Sequence, residues 1–240
     1  NIKAGNAGDY QTGASCQLFF QMDEGQDVLG CMVCGGSDKD DHIYWIESSD
    51  KISAVNIRQW INNMLSAEKM TISVFDVKND YENMVPEQQD RSLLSHEITR
   101  NIFDCKIAAY LINPLKSDYK IEDVAGEYLS ARLRGWSEIF GKTDIETAYQ
   151  NSKKECLSYL AKETFVLYKA APLLEKALRL NGMGQLFRDL EMPLTYVLYD
   201  MEREGILVRP EELKVYGDAL SGRIGELEKA IHAEAGEPFN

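Results

Sequence analysis

The sequence predicts an α/β fold in which a mixed sheet comes first and helices dominate the second half. Three patterns carry that expectation. Cys16-Gln-Leu-Phe-Phe-Gln-Met22, Leu29-Gly-Cys-Met-Val-Cys34 and Ile43-Tyr-Trp-Ile46 are short runs rich in aromatic and branched residues, separated by acidic and Gly-containing turns, as in an antiparallel meander. Ile52 to Leu65 then sets Val55, Ile57, Trp60, Ile61, Met64 and Leu65 at mainly three-and-four spacing, the mark of an amphipathic helix, and Thr71 to Phe75 reads as another strand. From Asn151 onward the composition is helical almost throughout.

The remaining elements follow from caps and breakers. Asn1 to Ser15 carries Gly5, Gly8 and Gly13 and no hydrophobic period, so it reads as a flexible lead-in. Asp104 is placed to cap a helix over Cys105 to Ile112, with Pro114 just beyond its end, and Ile121 to Leu129 puts Ile121, Val124, Ala125 and Tyr128 on one helical face. Gly135 and Gly141 interrupt any period between Arg132 and Gln150, which is assigned mostly to loop. Cys156, Tyr159, Leu160, Phe165, Val166 and Tyr168 lead to Pro172, where a kink or restart is expected before the pattern resumes to Asn181-Gly182. Leu194, Val197, Leu198 and Met201 form a stripe that stops at Gly205, a natural helix terminator. Ile206 to Val208 is extended, and Pro210 opens a last helix with a narrow seam of Leu213, Tyr216, Leu220, Ile224, Leu227 and Ile231. No internal repeat is visible, which excludes solenoids and propellers.

Composition narrows the function classes. The 240 residues hold 26 Lys and Arg against 39 Asp and Glu, a net charge of −13, so the chain as a whole is a poor electrostatic clamp for a phosphate backbone. No apolar run reaches the roughly 18 residues that cross a bilayer, and the expected location is the cytoplasm, with no membrane partner. The five cysteines are odd in number and are expected as free thiols. Cys31 and Cys34 have the spacing of a metal pair but fall on a strand, where positions three apart face opposite ways. His42, His96 and His232 lie far apart in sequence and none belongs to a nucleophile motif.

Phe103-Asp-Cys-Lys-Ile-Ala-Ala-Tyr-Leu-Ile-Asn-Pro114 and Tyr119-Lys-Ile-Glu-Asp-Val-Ala-Gly-Glu-Tyr-Leu129 resemble the middle of the 3′-to-5′ exonuclease domain of bacterial DNA polymerase I. Leu190-Glu-Met-Pro-Leu-Thr-Tyr-Val-Leu-Tyr-Asp-Met-Glu-Arg-Glu-Gly-Ile-Leu-Val208 looks like the helix joining exonuclease and polymerase domains in family A polymerases, and Ala235-Gly-Glu-Pro-Phe-Asn240 like the entry to the thumb. The resemblance runs in order from Cys16 to Asn240. It implies a ribonuclease H-like mixed five-stranded sheet flanked by helices and followed by long C-terminal helices. The implied domains are an exonuclease-like unit over residues 16–182 and a connecting helix with the base of the thumb over residues 183–240. Arg209 departs from the family, which usually has an Asp there to cap the following helix. The aspartate motif and basic dNTP-binding helix of palm and fingers are not found, so polymerisation is not expected of this chain.

The exonuclease reaction needs two divalent ions roughly 4 Å apart, held by several converging carboxylates. In active relatives these come from Asp-x-Glu on the first strand, an Asp after the fourth strand and a Tyr-x-x-x-Asp helix motif. Here the first strand offers Leu18-Phe-Phe-Gln-Met22, with no carboxylate before the adjacent Asp23 and Glu24. Asp76-Val-Lys-Asn-Asp80 resembles the second motif with Asp80 at the carboxylate position, and Tyr159-Leu-Ala-Lys-Glu163 resembles the third with Glu in place of Asp. Two remaining carboxylates do not assemble a two-metal clamp, so Asp80, Tyr159 and Glu163 are expected to be vestiges, with no bound cofactor. The alternatives are a residual exonuclease, using Mg²⁺ or Mn²⁺ at Asp80, Glu163 and acids of the Asp23 to Asp27 turn, and a non-catalytic nucleic-acid module using Arg132, Arg134, Lys153 and Lys154. The implied partners are DNA, through a parent polymerase, and the remainder of that polymerase chain: palm, fingers and the rest of the thumb.

Overall fold

A computed structural model of the chain describes residues 12–20, 28–37, 40–65, 71–84, 101–116 and 118–237. Five strands, β1 (Thr12–Phe20), β2 (Val28–Ser37), β3 (Asp40–Glu47), β4 (Thr71–Val74) and β5 (Ile102–Asp104), form one sheet in the order β3-β2-β1-β4-β5. β1, β2 and β3 are antiparallel neighbours, while β4 joins β1, and β5 joins β4, in parallel. This is the mixed five-stranded sheet the sequence implies. β1 begins at Thr12, four residues ahead of the expected start at Cys16. The lead-in residues before it, and Gln21, Asp23, Glu24, Asp27 and His96, lie outside the described residues.

The two parallel joins require crossovers, and helices supply them. Helix α1 (Ala54–Leu65) lies between β3 and β4, and α2 (Val77–Met84) follows β4. Gly30 on β2 has a chemical reason: a Cβ there would fall 2.5 Å from the Trp45 ring and 2.6 Å from the Ile46 carbonyl oxygen. Cys31 and Cys34 are both buried and unpaired, as are Cys105 and Cys156.

Helices α3 (Cys105–Ile112) and α4 (Ile121–Leu129) fall where the sequence puts them. The stretch assigned to loop contains two helical starts instead. Trp136–Phe140 forms the short helix α5, bounded by Gly135 and Gly141, and α6 (Ile145–Leu180) begins well before Asn151 because Asp144 accepts a hydrogen bond from the Thr147 N–H at 2.8 Å. The glycines that break the period thus bound a helix rather than exclude one. Pro172 does not interrupt α6; the break lies at Ser152, whose backbone is non-helical at φ −143 and ψ 49. Pro172 lies on the exposed face, where its ring meets water rather than packed side chains.

Helix α6 feeds two hydrophobic clusters. Its first half gives Ala148, Tyr149, Cys156, Tyr159 and Leu160 to the smaller cluster, which also holds Leu29 and Met32 of β2. Its second half gives Val166, Leu167, Ala170, Ala171, Leu174 and Leu178 to the larger cluster with β4, β5, α1, α3 and α4. Gly182 (φ 70) ends the helix, with the Met183 N–H donating back to the Leu178 carbonyl at 2.8 Å. A turn of helix at Gly184–Leu186 and a π-helical turn at Phe187–Glu191 lead into α7 (Met192–Glu204), which stops at Gly205 as expected. Tyr81 of α2 meets the Thr195 hydroxyl at 2.8 Å and the Tyr199 ring at 5.6 Å, which fixes the start of α7.

The chain divides into two compact units between Asp200 and Met201. The second contains α8 (Pro210–Ala235), whose N-cap Arg209 accepts no helix N–H with its side chain, as its chemistry dictates, and instead donates to Glu212 at 2.8 Å. All six residues of its apolar seam are exposed. No helix among the described residues is long and apolar enough to cross a membrane.

Candidate functional site

Tyr159 and Glu163 lie one turn apart on α6, so the helix repeat brings them together. The Tyr159 hydroxyl donates to Glu163 Oε1 at 2.6 Å. The tyrosine ring is held edge-on by Trp136, at 5.4 Å between centroids, and by Phe140, at 6.1 Å, both from α5. Trp136 is in turn fixed by its indole N–H, which donates to the Thr143 carbonyl at 2.7 Å. Burial pushes the Glu163 carboxyl up to about 7, the Tyr159 hydrogen bond pulls it down, and the Glu122 charge adds to the rise. Burial and the neighbouring Glu163 push the Tyr159 hydroxyl up as well. This pair is therefore a half-buried acid satisfied by a phenol, packed under an aromatic lid.

Asp80 is supplied by another helix. It sits in the first turn of α2, just after β4 and the left-handed Asp76 (φ 64). Its carboxyl is raised well above the ordinary range, first by burial and then by the charges of Asp104 and Asp76. Those two acids are already committed. Asp104 is fully buried; its Oδ1 accepts from the Lys106 and Ile107 N–H groups at 2.8 and 3.2 Å, and its Oδ2 accepts from the Val77 N–H at 2.7 Å. One carboxylate thus caps α3 and ties down the start of α2. Burial raises it to about 6 against the pull of these donors. Asp76 Oδ2 accepts from Lys106 Nζ at 2.8 Å and from Asn79 Nδ2 at 2.9 Å.

The structure joins Tyr159 to Glu163 by a hydrogen bond; the acid whose charge acts on Glu163 is Glu122, and those whose charges act on Asp80 are Asp104 and Asp76. The two acids whose charges act on Asp80 already have donors: Asp104 accepts from backbone N–H groups, and Asp76 from Lys106 and Asn79. Among the described residues no group of three or more His, Cys, Asp or Glu is placed to hold a metal ion.

Of the four basic residues singled out by sequence, three share a cleft. Arg132, Leu133 and Arg134 from the segment after α4, Ile139 of α5, and Lys154, Glu155, Ser158, Tyr159 and Lys162 of α6 enclose about 520 Å³. Lys153 is not among them, because its ammonium pairs with Glu47 at 3.0 Å and sits 4.7 Å from the centre of the Tyr149 ring. Lys162 was missed, although Lys154, Ser158 and Lys162 recur at intervals of four, a single helical stripe. The roles of Trp136, Phe140 and Glu122 around Tyr159 and Glu163 are visible only in three dimensions.

Comparison with known proteins supplies the family. A model of the ribonuclease H-like domain of DNA polymerase I matches residues 26–170. DNA polymerase I of Bacillus subtilis is 33% identical over 138 residues, 58% of this chain and 16% of that protein. DNA polymerase I of Lactococcus lactis is 34% identical over 163 residues, 66% of this chain and 18% of that protein. The chain therefore spans less than a fifth of the length of either relative. Among solved structures, the POL domain of Pol1 from M. smegmatis, in complex with DNA primer-template and dNTP, aligns over 95% of this chain and 34% of its own, with a TM-score of 0.57 at 16% identity. Brucella melitensis NrnC bound to pGG aligns over 79% of this chain and 85% of its own, with a TM-score of 0.53 at 14% identity. The family model covers more than half of the chain, and the chain belongs to the DNA polymerase I family through its ribonuclease H-like, exonuclease-type domain.

Proposed function

We propose that this chain is the structural remnant of a 3′-to-5′ exonuclease domain within a DNA polymerase I that serves DNA replication and repair. In this reading residues 16–182 are the exonuclease-like unit, residues 183–240 are the connecting helix and thumb base, and the unit's task is to position the polymerase domain on DNA. The observation that carries it is how the surviving carboxylates are held: Asp80 is buried beside the charges of Asp104 and Asp76, which already accept from backbone N–H groups and from Lys106, and Glu163 is raised by burial and accepts from the Tyr159 hydroxyl. Both are held in environments that favour the neutral acid, the opposite of what a divalent cation requires. Without paired ions the charge building up on the attacked phosphate loses a stabilisation of several kcal/mol, and about 3 kcal/mol already means roughly a hundredfold in rate. Buried, unpaired cysteines suit a reducing compartment, and we place the protein in the cytoplasm.

The test is degradation of a single-stranded oligonucleotide labelled at its 5′ end, with Mg²⁺ or Mn²⁺. The expected result is no metal-dependent shortening above a buffer control. Metal-dependent shortening that disappears in Asp80→Ala would establish the residual exonuclease instead.

A further inference from the structure

The basic cleft is out of keeping with the rest of the molecule. The chain carries a net charge of −13, yet Arg132, Arg134, Lys154 and Lys162 converge on one concavity with a single carboxylate, Glu155, in its lining. Glu138 offsets part of the charge on the arginine wall, and the lysine wall facing it still repels a second cation, so a cluster of this kind is favoured by a negatively charged occupant. Among the described residues neither Lys154 nor Lys162 has an ion-pair partner.

The two walls are built differently. Lys154, Ser158 and Lys162 form one stripe of α6, starting just after the break at Ser152, so two ammonium groups and a hydroxyl project from a rigid element at a spacing set by the helix. The facing wall is the extended segment Arg132 to Arg134, which leaves α4 through the left-handed Ser130 (φ 50). Glu138 holds Arg134 through its Nε at 3.0 Å and lies 4.0 Å from an Arg132 terminal nitrogen. Contact through Nε leaves the paired terminal nitrogens of Arg134, the fork that grips phosphate oxygens. Leu133 and Ile139 supply an apolar surface between the charges.

Size selects the ligand. A volume of about 520 Å³ is that of a small-molecule site rather than a groove that tracks a strand. Binding a long strand draws on cations distributed along its path, and the acidic balance of the chain does not provide them. Two lysines and two arginines with an apolar floor match a ligand with several phosphates on one side and a flat heterocycle on the other. We infer that this cleft is a binding site for a single nucleoside polyphosphate, held by Lys154, Lys162, Arg132 and Arg134 without a metal-bridged carboxylate.

The inference does not depend on whether the exonuclease is vestigial, and it is tested with EDTA present so that metal-dependent hydrolysis plays no part. The 240-residue chain is titrated calorimetrically with dATP, with adenosine and with a single-stranded oligonucleotide of about ten nucleotides, at about 50 mM salt. The expected result is saturable one-to-one binding of dATP, weakening as salt is raised, with no binding of adenosine. Lys154→Ala combined with Lys162→Ala is expected to weaken dATP binding about tenfold or more, whereas Lys153→Ala leaves it unchanged. Circular dichroism of the double variant, unchanged from the parent chain, excludes misfolding as the cause. A flat dATP titration, an unchanged affinity in the folded double variant, or an oligonucleotide bound much more tightly than dATP would each overturn the proposal.

Discussion

Replacing Glu163 by Gln measures what the half-buried acid does to the fold. Gln keeps an oxygen that can accept from the Tyr159 hydroxyl and removes only the charge. The native carboxyl ionises at about 7, against an ordinary value of 4.5. The native state therefore holds this proton more tightly than the unfolded chain, and the stability that results is complete below about 4.5 and lost as pH rises through about 7. At roughly 1.4 kcal/mol per pK unit the full loss is about 3 kcal/mol. Partial exposure lets water screen some of it, so the working range is about 1–3 kcal/mol. Glu163→Gln should thus be about as stable as the parent near pH 4.5 and more stable by that amount near pH 8, measured by urea unfolding at both pH values. In thermal melts near pH 8 each kcal/mol appears as a rise of about 2–4 °C. A stability difference that is the same at both pH values would refute the assignment. A melting temperature that rises with Mn²⁺ in the parent chain, but not in the variant, would show that Glu163 is held as a metal-bound anion instead.

Two other substitutions probe the scaffold around Asp80 and Tyr159. Asp104→Ala removes the acceptor for three backbone N–H groups, those of Lys106, Ile107 and Val77, and leaves the last of them buried without that partner. It should destabilise the domain by about 3 kcal/mol or more in urea unfolding, and a loss under about 1 kcal/mol would show that the two helix starts do not depend on it. Pro172→Ala restores the missing N–H donor on an exposed position of a continuous helix, and should stabilise the fold by about 1–3 kcal/mol. A lower melting temperature would mean that the ring is needed where it stands.

Much of the fold was legible because its signals are local. Asp104 next to a short apolar helix, Pro210 at a helix start and Gly205 at a helix end act through their own backbone neighbours, and each element appeared where its residues put it. Errors arose where a local signal was ambiguous. Gly135 and Gly141 break periodicity in any window that spans them, yet the five residues between them form a helix whose two aromatic rings pack against Tyr159. Pro172 carries a strong prior for a break, but the helix passes through it and breaks instead at Ser152, which has no such signature.

The candidate site divides along the same line. The Tyr159 and Glu163 pair was readable because residues four apart on a helix share a face. That Asp80 is buried beside Asp104 and Asp76 was not, because it depends on how β4, β5 and α2 meet, and no one-dimensional spacing encodes which acids already hold backbone donors. The basic cleft lies between these cases: three of its four cations were apparent as a cluster in sequence, while Lys153 left for Glu47 and Lys162 joined. By itself the sequence determined most of the elements and their order, since these rest on short-range backbone preference and hydrophobic period, and its motifs carried the resemblance to the family. The tertiary structure alone decided which charges face one another, because Coulomb interactions and desolvation depend on distance through space and on burial, and neither is a property of position along the chain.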